Sequence, residues 1–325
     1  MRSFLKPVTV AILLLAGLVG LAKADEGKKL QIAVIPKGTA HIFWKTVHAG
    51  AAKASQELGV DIIWIGAENE GDRKQEIDLV QNFISRGVNA IVLAPLDDKA
   101  LVSPVEAATK KGIPVVIIDS ALQSKSQISF VATDNKQGGR LGADQLGKVM
   151  GGKGKVILLR YAEGSASTRD REEGFLEETA KKFPGMTLVS SNQYAGVTKE
   201  SALQASQNLL NKFGDVDGIF CPNESSAFGM LRALQTSGKA GKVKFVGFDT
   251  SKDLLDGLKS GSIQGLVSQD PFNMGYQGVK TAVDHLKGKK VKKRVATRLL
   301  MVTKENMGEA KVKEVIYPDV DKWLK

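Results

Sequence analysis

The chain has 325 residues, of which 42% are hydrophobic and 25% are charged, and its single cysteine, Cys221, excludes an intramolecular disulfide. These values are ordinary for a globular protein, and the length favours two domains. The formal net charge is +11, but the densest basic cluster, KGKKVKKR at 287–294, contains no aromatic residue that could stack on a base, so a solvated surface turn is favoured over a nucleic-acid site.

The first 24 residues have the pattern of a secretory signal peptide. Arg2 and Lys6 precede an uncharged apolar run over 8–22, and Ala22-Lys23-Ala24 forms a small-x-small cleavage site. The run is shorter than the ~20 residues that a spanning helix needs, which disfavours a membrane anchor. We therefore expect export, cleavage after Ala24 and a periplasmic mature chain. No cysteine lies near the cleavage site, so a lipid anchor is not expected.

Short apolar runs alternate with amphipathic stretches over the next hundred residues. The runs are continuous, which predicts strands buried on both faces, as in a parallel sheet. Each amphipathic stretch ends near a glycine, which is typical of a helix C-terminus. The strands are predicted at 30–36, 60–66, 89–94 and 114–119, and the helices at 42–58, 72–87 and 98–111. This repeated unit predicts a doubly wound α/β domain.

The same alternation restarts after Thr133 and predicts a second α/β domain. No Pro/Ser-rich linker separates the two, so we expect several short crossings between them. Ligands of open α/β sheets bind at the carboxyl ends of the strands, which places the predicted site in the cleft between the domains. The strands are predicted at 155–160, 186–190, 218–221, 243–248, 262–268 and 295–302, and the helices at 135–150, 168–183, 198–213, 224–238, 251–260 and 271–287.

Flat polar side chains follow strand after strand in this pattern. Adjacent hydroxyls of a sugar can be bound two at a time by carboxylate, amide and guanidinium groups, and its C–H faces need an aromatic wall. His41, Phe43 and Trp44 at the start of the first helix offer that wall. The polar candidates are Asp119, Asp134, Arg160, Arg169, Asn223, Asp249 and Gln269.

Each candidate also has a structural alternative. Phe43 lies on the core-facing stripe of its helix, whereas Trp44 lies off it. His41 and His48 have no third partner, so no metal site is expected. Asp134, Asn223 and Asp249 could be helix N-caps, and Arg169 and Arg171 could be exposed helix charges.

Enzymatic patterns are missing from the sequence. It contains no G-x-S-x-G, no G-x-x-x-x-G-K-[ST] and no H-E-x-x-H, and Cys221 has no evident histidine partner. We therefore expect neither catalytic activity nor a cofactor.

Five segments of the mature chain resemble the periplasmic ribose-type sugar-binding proteins, which are type I periplasmic binding proteins of ABC transporters. The segments are IAVIPKGTAHIFWKTVHAGA, GIPVVIID, ATDNKQGGRLGAD, NESSAFGMLRALQTSGK and VGFDTSKDLLDGLKSGSIQGLVSQDPFNMGYQGV. The resemblance implies two Rossmann-like doubly wound parallel-sheet domains joined by a three-strand hinge, which close on a sugar. On this basis we expect an N-terminal lobe of 25–132 plus 270–297 and a C-terminal lobe of 133–269 plus 298–325.

Position by position, the resemblance implies a ligand site of three first-loop residues, His41, Phe43 and Trp44, and five hydrogen-bonding residues, Asp119, Arg169, Asn223, Asp249 and Gln269.

Three departures from ribose binders put ribose itself in doubt. Ser120 stands where they carry arginine, and Val197 replaces an aromatic residue, although Tyr194 is near. Lys37 and Arg160 add charge at strand ends. Lys37 resembles the lysine with which autoinducer-binding relatives hold a furanose, so it is also expected to bind the ligand.

The sequence thus predicts a monomeric receptor for a monosaccharide or similar polyhydroxyl ligand that serves an ABC permease. The alternative is a receptor for an autoinducer-like furanose, polyol or sugar acid that feeds transport or chemotactic signalling. Sugar-responsive repressors share this fold, but they carry a helix-turn-helix where this chain has the predicted signal peptide.

Overall fold

The computed structural model describes residues 29–324, so the predicted signal peptide lies outside the described residues. The first part of the chain alternates strands and helices as expected. Its elements are β1 (Gln31–Ile35), α1 (Ile42–Leu58), β2 (Asp61–Trp64), α2 (Arg73–Arg86), β3 (Ala90–Leu93), α3 (Val102–Lys110), β4 (Val115–Ile118) and β5 (Ser129–Ala132). Of these, β5 was not predicted, because SFVA is too short and mixed to stand out from the loop before it.

The second part repeats the alternation. Its elements are α4 (Asn135–Met150), β6 (Lys153–Arg160), α5 (Ala166–Lys182), β7 (Gly185–Tyr194), α6 (Lys199–Lys212), β8 (Gly218–Phe220), α7 (Glu224–Thr236), β9 (Lys244–Phe248), α8 (Lys252–Ser260) and β10 (Gly265–Gln269). The remaining elements are α9 (Pro271–Leu286), β11 (Arg294–Ala296), β12 (Leu299–Val302) and α10 (Ala310–Ile316).

These strands form two six-stranded sheets. The first has the order β11-β5-β4-β3-β1-β2 and is parallel throughout. The second has the order β12-β10-β9-β8-β6-β7 and is parallel except for β12, which runs antiparallel to β10. The predicted fold class, two parallel-sheet α/β domains, is confirmed.

Helices cover both faces of each sheet, which explains the continuous apolar runs. In β1, Ile32 and Val34 pack with α1 and α9, whereas Ala33 and Ile35 pack with α2 and α3. In β6, Val156 and Leu158 face α4 and α5, and the alternate residues face α6, α7 and α8. The inner strands are therefore buried on both sides, as parallel strands require, whereas the edge strands β2, β7 and β11 are more exposed. Within 29–324, no helix is both long and apolar enough to span a bilayer.

The chain crosses between the two sheets in three short segments. The first lies between β5 and α4, the second between β10 and α9, and the third between β11 and β12. The single strand predicted at 295–302 was therefore wrong, because its halves belong to different sheets. We refer to each sheet with its helices as the N-terminal or the C-terminal lobe. The predicted lobe boundaries fall in these segments and stay a prediction.

Candidate functional site

A small cavity lies between the lobes at the carboxyl ends of their strands. Its volume is about 350 Å³, including the space at its mouth. The N-terminal lobe contributes Lys37, His41, Phe43, Trp44, Glu70 and Asp119. The C-terminal lobe contributes Tyr161, Ser165, Ser167, Thr168, Arg171, Asn223, Glu224 and Asp249, and Gln269 lines the cavity from the end of β10, next to the second crossing. We call this void the sugar cavity, after the ligand that the sequence predicts.

Two aspartates of the sugar cavity have a strained backbone. Asp119 follows β4 and Asp249 follows β9, and their φ angles are 60° and 70°, in the left-handed region. Among the described residues they are the only non-glycine residues with positive φ. Such strain costs roughly 1–3 kcal/mol and concentrates at functional sites. Its occurrence at equivalent strand ends of the two lobes marks both carboxylates as functional candidates.

Lys37 is paired within the cavity. Its ammonium lies 3.0 Å from Oδ2 of Asp119, and both side chains are about 5% exposed or less. The same Nζ donates across the cleft to Ser167 Oγ at 3.2 Å and Ser165 Oγ at 3.4 Å. The charge of Lys37 is therefore already compensated by the protein.

Asp249 is held by two donors and connects the cavity to the crossings. It accepts hydrogen bonds from Gln269 Nε2 at 2.8 Å and from the Glu224 backbone N–H at 2.9 Å. Burial raises the pKa of Asp249, and the Arg171 guanidinium opposes that rise. Gln269 Oε1 accepts from Thr133 Oγ1 at 2.9 Å, and Thr133 lies 3.3 Å from Thr297. Side chains in or next to all three crossings thus join a single network that ends in the cavity.

Arg171 is the buried arginine of the cavity. Its Nε donates to Asn135 Oδ1 and its Nη1 to the Pro222 carbonyl, both at 2.9 Å, and the guanidinium stacks 4.0 Å from the Phe248 ring centroid. Gly139 lets α4 approach the backbone here, because a Cβ at that position would lie 1.9 Å from Arg171 O. Desolvation lowers the pKa of Arg171.

The structure places Arg169 outside the cavity, in contrast to the expectation from the sequence. Its Nη1 donates to Asp98 Oδ2 at 2.6 Å, and its side chain is 43% exposed. Residues two apart on α5 point to nearly opposite sides of the helix, so only one of Arg169 and Arg171 can face the cavity. The structure therefore brings Arg171 to the cavity in place of Arg169.

Glu70, which sequence reasoning missed, is the partner of two aromatic side chains. It accepts from Trp44 Nε1 at 2.8 Å and from the hydroxyl of Tyr161 at 2.7 Å, and Tyr161 belongs to the C-terminal lobe. His41 Nε2 is 3.5 Å from the same carboxylate. Burial and then the charge of Glu70 raise the pKa of Tyr161. A buried Trp or Tyr needs a polar partner, but nothing in the loop AENEGDR distinguished Glu70 from Glu68.

Glu224 was also missed, and it meets the first helix across the cleft. Its Oε2 accepts from the Phe43 backbone N–H at 3.2 Å, and its Oε1 lies 3.8 Å from Lys199 Nζ. Burial raises the pKa of Glu224. Its neighbour Asn223 lines the cavity and also caps α7 through a capping box with Ser226. Its role as an N-cap therefore does not exclude it from the site.

Three further candidates lie away from the cavity. Asp134 caps α4 by accepting from the Gln137 N–H at 3.0 Å, so it is the helix N-cap that the sequence offered as its alternative role. Arg160 is held by Glu172 at 2.9 Å and by the Ser191 carbonyl at 2.6 Å. Tyr194 is 42% exposed.

Three buried atoms of the cavity have no hydrogen-bond partner among the described residues. They are His41 Nδ1, Arg171 Nη2 and Glu224 Oε1. The guanidinium offers a donor, the carboxylate an acceptor, and a neutral imidazole nitrogen can be either. Hydroxyl groups donate and accept at once and so complement this set. Over 29–324 no group of His, Cys, Asp and Glu side chains is placed to hold a metal ion.

Comparison with known proteins agrees with this architecture. The model of the periplasmic binding protein domain family matches residues 32–290. The ribose import binding protein RbsB of Haemophilus influenzae is 31% identical over 300 residues, which cover 92% of this chain and 99% of that protein. A carbohydrate transporter solute-binding protein from Agrobacterium radiobacter, solved with D-arabinose, is 38% identical with a TM-score of 0.86, covering 89% of this chain and 99% of that one. An Agrobacterium vitis solute-binding protein with bound D-fucose is 35% identical with a TM-score of 0.85, covering 88% and 100%.

Proposed function

This chain belongs to the periplasmic binding protein family, and on that premise we propose that it captures a neutral monosaccharide, or a similarly small polyhydroxyl compound, for an ABC importer. Relatives that it matches over nearly their full length are a ribose import binding protein and solute-binding proteins solved with D-arabinose and D-fucose. The ligand is expected in the sugar cavity.

The observation that carries this proposal is a set of buried atoms without hydrogen bonds. Arg171 Nη2, Glu224 Oε1 and His41 Nδ1 make no hydrogen bond within 29–324, and all three residues line one cavity. Charged groups stand near two of them, since Nη2 is 4.0 Å from Asp119 Oδ1 and Oε1 is 3.8 Å from Lys199 Nζ, but both distances are too long for a hydrogen bond. A buried polar group without a hydrogen bond costs about 1–3 kcal/mol. A ligand with several hydroxyls satisfies a donor, an acceptor and an imidazole nitrogen together.

The charges around the cavity favour a neutral ligand over a sugar acid. Four acidic side chains, Glu70, Asp119, Glu224 and Asp249, line it, compared with two basic ones, Lys37 and Arg171. Lys37 is already paired with Asp119 at 3.0 Å, so it is not free to bind an anionic group. A polyol or a furanose without charge remains compatible with the same side chains.

Contacts between the lobes support binding by hinge closure. Tyr161 donates to Glu70, Lys37 to Ser165 and Ser167, and the Ser167 N–H to Ser120 Oγ at 3.0 Å. Each joins the two lobes around the sugar cavity, so they form only when the lobes are together. A ligand that touches both lobes stabilises this conformation by its higher affinity for it.

We propose the following ligand-binding set: Lys37, His41, Phe43, Trp44, Glu70, Asp119, Tyr161, Arg171, Asn223, Glu224, Asp249 and Gln269. Arg169, Arg160, Asp134 and Tyr194 are left out, since they contact other groups or solvent.

The wider role follows from the family. The relatives are binding proteins of transporters, so we propose a binding role without catalysis, in the periplasm, after removal of residues 1–24. The proposed partner is an inner-membrane ABC permease, and the protein is expected to act as a monomer.

The proposal is tested by a thermal-shift and calorimetric screen of chain 25–325, freed of bound ligand, against pentoses, hexoses, deoxysugars, polyols and sugar acids. A ligand at about 100 times its Kd adds about 2.7 kcal/mol to the free energy of unfolding, which gives a clear rise in Tm. Asp249→Asn is expected to lose that rise. Asp253→Asn, a change of the same type on a 46% exposed side chain of the same lobe, is expected to keep it. No rise with any neutral sugar would overturn the proposal.

A further inference from the structure

A second void, larger than the sugar cavity, lies beside it between the lobes. Its volume is about 1,120 Å³, including its open mouth, compared with about 350 Å³ for the sugar cavity. It is bordered by the start of α1 in the N-terminal lobe, by 250–259 in the C-terminal lobe and by 315–320 near the chain end. We call this void the side chamber. A free monosaccharide in the sugar cavity would leave it filled with water.

The side chamber and the sugar cavity meet at a shared boundary. Phe43, Glu224, Asp249 and Gln269 line both voids. At this boundary the Phe43 N–H donates to Glu224 Oε2, while Glu224 Oε1 has no hydrogen-bond partner among the described residues and lies 3.8 Å from Lys199 Nζ. A sugar ring that binds Glu224 therefore lies next to the side chamber, and a substituent on that edge of the ring would extend into it.

The walls of the side chamber are largely apolar. Ile42 is 42% exposed and Tyr317 is 48% exposed, which makes them two of the most exposed large hydrophobic side chains in 29–324. Leu255, Pro271 and Val315 continue this surface. The charges at its edge pair with one another, because Asp256 lies 2.6 Å from Lys252 and 3.5 Å from Lys259. An apolar ring is therefore a better occupant than a charged group.

One buried polar atom adds a requirement on the occupant. Ser251 lines the side chamber and is 6% exposed, and its Oγ has no hydrogen-bond partner in the described chain. Ser251 is the N-cap residue of α8, but its side chain makes no capping bond. An occupant with an oxygen or hydroxyl on its apolar ring would satisfy it.

We propose that the ligand is a glycoside, whose sugar ring fills the sugar cavity and whose apolar, oxygen-bearing ring aglycone fills the side chamber. The inference rests on the proposed function and specifies its substrate class. Since α1 belongs to one lobe and α8 to the other, the aglycone would contact both lobes and add to the stability of the closed state.

The test compares three forms of each sugar by calorimetry: the free sugar, its methyl glycoside and its 4-nitrophenyl glycoside, in both anomers, for D-arabinose, D-ribose, D-fucose, D-galactose and D-xylose. The methyl glycoside blocks the anomeric hydroxyl without filling the side chamber. For at least one sugar and anomer, the 4-nitrophenyl form is expected to bind about tenfold or more tightly than the methyl form. Equal or weaker binding of the 4-nitrophenyl forms, beside clear binding of a free sugar, would overturn the inference and leave the proposed function standing. No binding of any form would overturn both.

Two variants and one matched control locate the effect. Tyr317→Ala and Ile42→Ser are each expected to lower the ratio of methyl to 4-nitrophenyl Kd by about threefold or more, since apolar contact area is lost. Ile65→Ser changes a side chain that is also 42% exposed but does not line the side chamber, and it is expected to leave the ratio unchanged. Because the ratio is taken within each variant, a general loss of affinity does not alter it. An unchanged ratio in both chamber variants would contradict the placement of the aglycone.

Discussion

Arg169 of the C-terminal lobe donates to Asp98 of the N-terminal lobe at 2.6 Å, and neither residue lines the sugar cavity. Asp98 is almost fully buried, and its carboxylate also accepts from Gln123 at 3.0 Å. Its backbone N–H donates to the Gly164 carbonyl of the opposite lobe at 3.0 Å. The pair therefore connects the two lobes outside the sugar cavity.

Arg169→Ala is expected to weaken binding of every ligand by a similar factor of about fivefold. The side chain is 43% exposed, so its ion pair is worth only about 1 kcal/mol. That energy is present only in the closed state, so its loss shifts the equilibrium toward the open state without changing the contacts to the sugar. Calorimetry on two or more sugars measures both the loss and the selectivity.

Arg140→Ala is the matched control for this change. Arg140 is 38% exposed and pairs with Glu177 inside one lobe, so its removal is expected to leave affinity unchanged. A strong change in preference between sugars in Arg169→Ala would show instead that Arg169 contacts the ligand.

Arg171→Lys is expected to weaken binding far more than Arg169→Ala, by roughly 30- to 140-fold. A lysine keeps the charge but cannot make the fork of bonds to Asn135 and Pro222 while also presenting a donor in the position of Nη2. The loss corresponds to about 2–3 kcal/mol for buried groups left unpaired. Titration of both variants with the same sugar gives the ranking, and urea unfolding confirms that each is folded. The reverse ranking would contradict the assignment of Arg171 to the site.

Sugar acids are expected to bind at least about 100-fold more weakly than the matching neutral sugars. Four carboxylates line the cavity, and like charges brought together without water cost several kcal/mol. Comparison of D-galactose with D-galacturonate, and of D-arabinose with D-arabinonate, measures the difference. Glu224→Gln removes one of the four carboxylates and is expected to reduce the difference in affinity between the acid and the neutral sugar. Tighter binding of an acid than of its neutral partner would contradict this prediction and would indicate that Lys37 binds the acidic group.

The fold was predictable from periodicity, and the exceptions have local causes. Runs such as VDIIWIG and PVVIID are apolar because helices cover both sides of each sheet. The strand predicted at 295–302 was divided between two sheets, because Thr297 lies in a crossing that hydrophobicity alone does not reveal.

The site was predictable where a residue ends a strand and less so elsewhere. Asp119 and Asp249 directly follow strands and Gln269 is the last residue of β10, and the structure brings all three to the cavity. Which of Arg169 and Arg171 faces the cavity depends on the rotation of α5 about its axis. That rotation is linked to the close packing of α4 against α5 at Gly139. Glu70 and Glu224 lie in a loop and in a helix start, so their burial depends on contact with the opposite lobe, which no local pattern encodes.

Glu76 lies outside the site, and its burial predicts a dependence of stability on pH. The side chain is fully buried in α2, where Oε2 accepts from the Leu96 N–H at 2.9 Å and Oε1 has no partner in the described part of the chain. Burial raises its pKa from 4.5 to about 8. At pH values between 4.5 and about 8, Glu76 keeps its proton in the folded protein but loses it in the unfolded chain. The carboxyl therefore contributes fully to stability below about pH 4.5, and this contribution is lost as the pH rises to about 8.

Glu76→Gln is expected to gain stability relative to the wild type as the pH rises through this window. The amide oxygen can still accept from Leu96, but the side chain cannot ionise, so the difference in free energy of unfolding grows by about 1.4 kcal/mol per pH unit. Urea unfolding of both proteins between about pH 4 and pH 9 measures the slope, which is expected to flatten at both ends. Glu200→Gln changes an exposed carboxylate and is expected to show a small, flat difference over the same range. A flat difference for Glu76→Gln as well would mean that Glu76 ionises in the folded protein as readily as in the unfolded chain, with water or a rearranged partner reaching Oε1.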